Sequence, residues 1–507
     1  MERIGIIDLG SNAARLIVIH IYYNGAYNLV YHQKESIRLA EGISEDGYLP
    51  PDSIQRAIET LKVFAHMCQI VQADKIFAVA TAAVRNAVNG PDFLKVAEQY
   101  TKIPIKIISG ETEAKLGYIG IANTIDVADA ILFDLGGGST ELTLMKNRKI
   151  VKSISLPYGS VNLSEKFKTQ DKISEQQLME LRSFLVRLLA EVPWLDNVNL
   201  PIIGVGGTAR NIAKMDQRRK NYPSAKVHNY RMGTLALDDL WQSLAKVNYN
   251  QRRKFPGLSS ERADTIVAGV TLVKTLFDVA NGTNLIVSGC GLREGLFLQY
   301  YLARELAEPL VPDVLEHSTR NMLLFYKGNI EHAEHVSLLA SVLFDELQQL
   351  HNLGPRDKAL LGVAAMLHDI GITINYYDHS RHSAYLVENA RLFGLTHREQ
   401  VLAAVVAGWH NGASAKYVRN KIYTEFLGEA DWHAARRLSL LLALSESLDT
   451  TQMQVVKRLN VSIQTGVVLL RLYPKGNATI EMQDIHQHKK WFKKEFGYEL
   501  AVETVSE

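Results

Sequence analysis

Twice in this chain an apolar run ends in aspartate and is followed at once by glycine and hydroxyl residues. In "IIDLGSNAARL" (6–16), Asp8 precedes Gly10, Ser11 and Asn12. In "LFDLGGGSTEL" (132–142), Asp134 precedes Gly136, Gly137, Gly138 and Ser139. The two stretches align without a gap, 126 residues apart (8 against 134). Glycines let a backbone approach a ligand and turn several N–H groups toward it, an arrangement that takes anions, phosphate above all. Two carboxylates beside a phosphate ask for Mg²⁺, held partly through water. One such loop alone reads equally well as a tight hairpin. Two in register point to phosphate chemistry, with Asp8 and Asp134 as the metal residues. Two further apolar runs end in glycine and open a helical pattern, "GVGGTARNIA" (204–213) and "SGCGLREGLF" (288–297). Helix N-termini preceded by glycine favour anions, so Gly206, Gly207 and Thr208 join the phosphate set.

The elements that must carry these loops follow from the flanking patterns. Each aspartate loop is followed by strand, turn and strand, through Asn24-Gly25 in the first copy and Asn147-Arg148 in the second; Asn-Gly supplies the positive φ of a tight hairpin. This is an internal duplication. The stretch "IPIKIISG" (103–110) reads as a strand, and "ETEAKLGYIGIANT" (111–124) as a helix with Glu111 and Glu113 in its first turn. After about residue 305, glycine turns thin out and 3.6-residue periodicity takes over. His332, Val336, Leu339 and Leu343 share one helical face. The adjacent His368 and Asp369 end an apolar helix, and His379, His382, His410 and Asp449 fall at helix ends or against apolar faces. From about residue 456 the pattern alternates through "NVSIQTGVVLLRLYP", a Gly476-Asn477 turn and "ATIEMQDI". A basic, aromatic helix around Trp491 and Phe492 follows. Its Lys489, Lys490, Lys493 and Lys494 are a solvated face or an attraction for a polyanion. The expected domains are 1–124, 125–305, 306–455 and 456–507: two duplicated α/β lobes, an all-α domain and a small α+β domain.

Composition narrows the class. The 507 residues are 47% hydrophobic and 22% charged, with a formal net charge of +2, ordinary for a soluble globular protein. Near-neutral charge argues against a tail-driven nucleic-acid binder, and no nucleic-acid partner is expected. Only Cys68 and Cys290 occur, so no disulfide framework is implied. No apolar run is long enough to span a bilayer and the N-terminus lacks a signal-peptide pattern. A cytoplasmic protein without membrane insertion is the expectation.

Taken together, "IIDLGSNAARL", "VATAAVRNA" (79–87), "IISGETEAKLGYIG" (107–120), "FDLGGGSTEL", "GVGGTARNIAK", "KVHNYRM" (226–232), "SSERADTIVAGV" (259–270) and "SGCGLREGLF" resemble the exopolyphosphatase and guanosine pentaphosphate phosphohydrolase family. They stand in family order over roughly the first 300 residues, and the set is far more specific than any one loop. The resemblance implies actin-like, ribonuclease H-like lobes and a Mg²⁺-dependent phosphohydrolase. The implied reaction releases terminal phosphate from inorganic polyphosphate, or alternatively from guanosine pentaphosphate. An actin-like kinase or a silent nucleotide sensor are the readings from other classes. The resemblance places the water-activating base at Glu113, with Glu141 as rival, and a phosphate-contacting arginine at Arg85. A homodimer is expected. The first loop departs from the family pattern: Ala13 stands where a second serine is usual, so Ser11 or backbone amides must serve. Arg262 reads as a substrate contact or as half of an ion pair with Asp264, and His228 as lining a polyanion path or a solvated loop. The later helices resemble an HD-type metal domain, which implies a second divalent metal on His332, His368, Asp369, His382, His410 and Asp449. His335 is the alternative to His332.

Overall fold

The structure, a computed structural model, describes residues 1–44, 46–412 and 421–505. It divides into two compact units, one of Met1–Tyr23 and Tyr27–Pro312, the other of Asp313–Glu507 with Asn24–Ala26.

The first unit holds two sheets. In the first, β1 (Glu2–Leu9), β2 (Ala13–Ile21), β3 (Tyr27–Ser36), β4 (Lys75–Ala80) and β5 (Ile105–Ile107) lie in the order β3-β2-β1-β4-β5. In the second, β6 (Ala130–Leu135), β7 (Thr140–Lys146), β8 (Lys149–Leu156), β9 (Ile202–Val205), β10 (Tyr230–Gly233) and β11 (Asn284–Val287) lie in the order β10-β11-β9-β6-β7-β8. Each sheet begins with an antiparallel meander and continues in parallel strands, the second adding β10 antiparallel at its edge, the duplicated actin-like arrangement. The duplication reaches single atoms. Gly10 N–H donates to the Ala13 carbonyl at 3.2 Å, and Gly136 N–H to the Ser139 carbonyl at 3.0 Å. Asp8 pairs across the ladder with Arg15, and Asp134 with Glu141. The second hairpin turns through Asn147 and Arg148, both at positive φ, the conformation a tight hairpin demands.

The helix Leu292–Leu302 crosses back to the first lobe. It packs on the helix Gly110–Ala122 so closely that a Cβ at Gly295 would lie 1.8 Å from the Leu116 carbonyl oxygen. Phe297 and Tyr300 stack against Tyr27 and Phe77 of the first sheet. A linear cut at 124 therefore does not separate the lobes.

The second unit is mainly helical and ends in the sheet β12 (Val456–Gln464), β13 (Val467–Pro474) and β14 (Glu499–Thr504). One core runs through all of it, from Leu315 and Val336 to Leu470 and Leu500, so no boundary between cores falls at 455. The stretch after Gly476 is a helix, Thr479–Ile485, and not the strand that alternation suggests. Asn477 caps it by accepting from Thr479 N–H, and Glu481 turns inward to take the Thr451 hydroxyl. Among the described residues, no helix is long and apolar enough to cross a membrane.

Candidate active site

Strand β1 delivers Asp8 and strand β6 delivers Asp134 to the same end of their sheets, because each sits next to last in its strand. The loops that follow meet. A Cβ on Gly137 would lie 3.2 Å from Ser11 Cβ, so glycine gives this approach between the two copies its room. Gly206, at φ +98°, opens the helix Gly206–Arg219 hard against Leu135 and Asp134. Together these parts enclose a cavity of about 80 Å³, room for a group of a few heavy atoms. Its lining includes Asp8, Gly10, Ser11, Asn12, Glu113, Asp134, Gly136, Gly137, Ser139, Gly206, Gly207, Arg15 and Arg262. Most of the predicted set thus converges. Gly138, Glu141, Arg85 and Thr208 stand outside the lining; Thr208 is buried against Gly269.

Glu113 lies in the first turn of the helix Gly110–Ala122, which Ser109 caps by accepting from Thr112 N–H at 3.1 Å. From sequence, the positive helix end should favour its ionised form. The balance goes the other way. Burial and the nearby Glu141 push the Glu113 carboxyl well above its ordinary value, against the opposing pull of Arg85. Glu141, facing Asp134 across the hairpin, is itself pushed up to about 7 by burial and by Asp134. Arg85 does not stand free for a ligand: its Nη1 donates to Glu113 Oε2 and to the Ile108 carbonyl, both at 2.9 Å. Ser155 Oγ donates to Glu141 Oε1 at 2.8 Å. Two interacting carboxyls of this kind titrate as a pair, and the Arg85 contact favours the charge on Glu113. Burial and the charge of Asp8 also raise Asp134. A cavity with two hard carboxylates and raised proton affinity fits a divalent cation, with Asp8 and Asp134 as its protein ligands.

Two other sequence expectations are resolved here. Arg262 forms no ion pair with Asp264 among the described residues and lines the cavity instead. His228 is a strut: its Nδ1 accepts from Gly289 N–H at 3.1 Å and its Nε2–H donates to the Thr124 carbonyl at 3.0 Å.

The pattern of the Ppx/GppA phosphatase family matches residues 18–303, and that of the Ppx/GppA phosphatase domain III matches residues 314–476. The chain belongs to the Ppx/GppA phosphatase family. Two solved structures of Aquifex aeolicus members of this family are similar to it, at 29% and 28% identity with TM-scores of 0.51 and 0.53. They cover 58% and 60% of this chain and 98% and 99% of their own. An exopolyphosphatase from Cytophaga hutchinsonii shares the fold at 22% identity and TM-score 0.57, covering 61% of this chain and all of its own. Ppx/GppA membership makes the chain a phosphohydrolase acting on phosphoanhydrides.

The second unit carries a separate cluster. His332 Nε2, His368 Nε2 and His379 Nε2 stand 3.8, 3.6 and 3.3 Å from the Asp369 carboxylate, and His379 Nε2 lies 3.1 Å from His410 Nε2. Every Nδ1–H is already committed. His368 donates to the Ala365 carbonyl, His379 to Tyr376 and His410 to Ala407, while His332 donates to Asp449 Oδ2. Each Nε2 therefore faces Asp369 or another Nε2; Asp369 raises His379, whose Nε2 can hold a proton toward it, and the Nε2 of His368 is buried with no hydrogen-bond partner. Burial holds His410 neutral, depressed to about 3, and lowers His368 likewise. Two lone pairs 3.1 Å apart require a shared proton or a cation between them.

This corrects two expectations and leaves His332, the favoured choice, in the cluster in place of His335. His379, not His382, completes the cluster. Asp449 is occupied with orienting His332 and accepting from Gln454 N–H. His335 is spent on the Val456 carbonyl. Glu446, raised to about 7 by burial and Asp369, escaped the sequence reading; its place in the last turn of the helix Glu429–Ser447, three residues before Asp449, was the available signal.

Proposed function

We propose that the chain is a Mg²⁺-dependent exopolyphosphatase that releases terminal orthophosphate from inorganic polyphosphate with Glu113 as base. The observation that carries this is the meeting of Asp8, Asp134, Glu113 and both glycine loops around one small cavity. The amides of Ser11, Asn12 and Gly137–Ser139 and the hydroxyls of Ser11 and Ser139 hold the oxygens of the terminal phosphate, while Gly10 and Gly136 brace the loops. Glu113 takes a proton from the attacking water. Arg85 holds Glu113 in place and opposes, without cancelling, the upward push on its proton affinity, and Glu141 keeps or releases a proton beside it. A bound Mg²⁺ supplies neutralisation of the charge on the phosphate oxygens. The leaving group is already an anion, so positioning and charge dominate the rate. Phosphate release from both substrates, measured side by side, tests the reading. Release from neither overturns it, and release from the guanosine nucleotide alone reverses the order.

A second reading is supported by the four convergent Nε2 atoms around Asp369: the second unit is HD-type and binds a divalent transition metal on His332, His368, Asp369, His379 and His410. Metal-bound histidines ordinarily donate their other N–H to a carbonyl or carboxylate, as all four do here. Elemental analysis of the purified chain tests it. Metal lost on changing His368 and Asp369 to Ala supports the site; metal-free protein after incubation with Mn²⁺, Fe²⁺ or Co²⁺ overturns it.

A further inference from the structure

Three helices of the second unit, Val314–Phe325, Ile330–Glu346 and Pro355–Leu367, leave a cavity of about 450 Å³ between them. That lies within the range of small-molecule sites, about 300–1,000 Å³. Its lining includes none of the clustered histidines. Glu334 and Met366 line it and stand two residues from His332 and His368. At about 100° per residue, such pairs face opposite sides of a helix, so the cavity is a separate feature of these helices. Leu315, Val363 and Met366 give it an aliphatic wall, and Asp313, Glu316 and Glu334 stand against one cation, Arg320. Arg320 pairs with Glu334, and Asp313 Oδ1 accepts from Glu316 N–H at 2.8 Å. Acids at a helix start are ordinary, and charge alone would say little. Two further features point to an occupant. Thr319 stands in the wall, 3% exposed, and its hydroxyl has no hydrogen-bond partner among the described residues; a buried hydroxyl left unpaired is destabilising. Gly362 also lines the cavity, within a helix and without positive φ. A Cβ there would meet only Ser337 Oγ, at 4.0 Å. Neither turn geometry nor packing asks for glycine, which weakens a helix interior. Its effect is to keep the space open.

We propose that this cavity binds a linear aliphatic polyamine, an alkyl chain carrying two or more ammonium groups. The methylenes lie on Leu315, Val363 and Met366, where burial of apolar surface drives binding. A threonine in a helix exchanges hydroxyl and methyl between two χ1 wells, so the Thr319 hydroxyl turns to accept one ammonium N–H. The remaining ammonium groups meet the carboxylates of the rim in charge-assisted contacts. An ammonium only donates and a carboxylate only accepts, so a surplus of carboxylates selects a cation and leaves an anion unpaired. The inference concerns the second unit alone and stands apart from the hydrolase reading of the first.

The test uses the full chain without polyphosphate, which would itself take up the amine. The probes are spermidine, hexan-1-ol, a pentalysine peptide and Mg²⁺. Binding is read by calorimetry and by the ¹³C-methyl signals of methionine, with Met366 assigned through M366L. Spermidine should bind saturably, at least about 10-fold more tightly than hexan-1-ol, and move the Met366 signal. G362M fills the cavity with a helix-favouring side chain. It should melt no lower than the unmutated chain and bind spermidine at least about 10-fold more weakly. T319V keeps the shape, removes the hydroxyl and should weaken spermidine about 5-fold. E316Q should weaken it about threefold, with the difference shrinking at high salt. Hexan-1-ol binding as tightly as spermidine overturns the amine assignment, and Mg²⁺ protecting the chain as well as spermidine does so too, reducing the effect to diffuse charge. Both comparisons stand even if a variant does not fold. An unmoved Met366 signal, or unchanged spermidine affinity in G362M, overturns the site. Tighter binding of pentalysine than of spermidine assigns the cavity to a basic segment of another protein and overturns the free polyamine.

Discussion

Replacing Glu141 by Gln separates the two candidate bases. Glu141 sits at about 7 against an ordinary 4.5, a displacement of ~3 kcal/mol in favour of the neutral form. Burial is the larger cause, so the part arising from neighbouring carboxylates is smaller, on the order of 1.4 kcal/mol or one pH unit. On Glu141 that repulsion comes from Asp134; the charge of Glu141 acts in the same sense on Glu113. Gln keeps the shape and still accepts the Ser155 hydroxyl, but removes the charge. If Glu113 is the base, E141Q lowers its proton affinity. The base then stays ionised to lower pH, and the acid limb of the kcat/KM profile moves down by about one unit. The plateau should hold within about threefold. The companion E113Q should keep affinity for tripolyphosphate and lose about 10²-fold or more in kcat, the scale of general-base loss. Steady-state phosphate release from pH 4.5 to 9, at fixed ionic strength and saturating Mg²⁺, measures both. A 10²-fold drop in the E141Q plateau with near-normal turnover in E113Q would refute the assignment and move the base to Glu141. An acid limb unmoved in E141Q would show that the two carboxyls do not interact as their geometry requires.

Stability should carry the same signature. A carboxyl raised in the folded state adds stability below its unfolded value, near 4.5, and loses it as pH rises toward 7. The melting temperature of E141Q should therefore exceed that of the unmutated chain at pH 8, and the gap should close by pH 5. D8N or D134N should each raise the Mg²⁺ concentration for half-maximal activity, since each removes a charge from the cation's ligands; unchanged titrations for both would exclude them as metal residues. In the second unit, H379A should release bound metal and H382A should retain it, by elemental analysis after dialysis, and the reverse would restore His382. G295A should destabilise the first unit by several kcal/mol, because its Cβ has no room beside Leu116. A denaturant midpoint within error of the unmutated chain would contradict that packing.

Sequence by itself determined the duplicated loops and much of what they carry. Asp8 and Asp134 end apolar strands, the spacing of glycines after them is conserved between the copies, and a hairpin period of two follows each; all of this is local, and local pattern is legible. The helical face of His332, Val336, Leu339 and Leu343 was legible for the same reason, and all four are buried. The stretch after Gly476 was misread because its apolar residues fit a short strand as well as a short helix, and the inward turn of Glu481 depends on Thr451 from elsewhere. His379 and His382 lie three apart on one helix, so periodicity puts them on neighbouring faces. The choice between them was made by His410, 31 residues onward. Glu113 was expected to be ionised from its helix position alone; the charge of Glu141 and the depth of burial, set by a hairpin from the other lobe, reversed the balance. The residues around the cavity at Thr319 come from three helices and share no spacing. Only the packing of those helices leaves the Thr319 hydroxyl without a partner among the described residues, beside an open cavity. Pattern fixes what a segment is. What stands opposite it depends on long-range packing, and proton affinity and unpartnered polar groups follow from that.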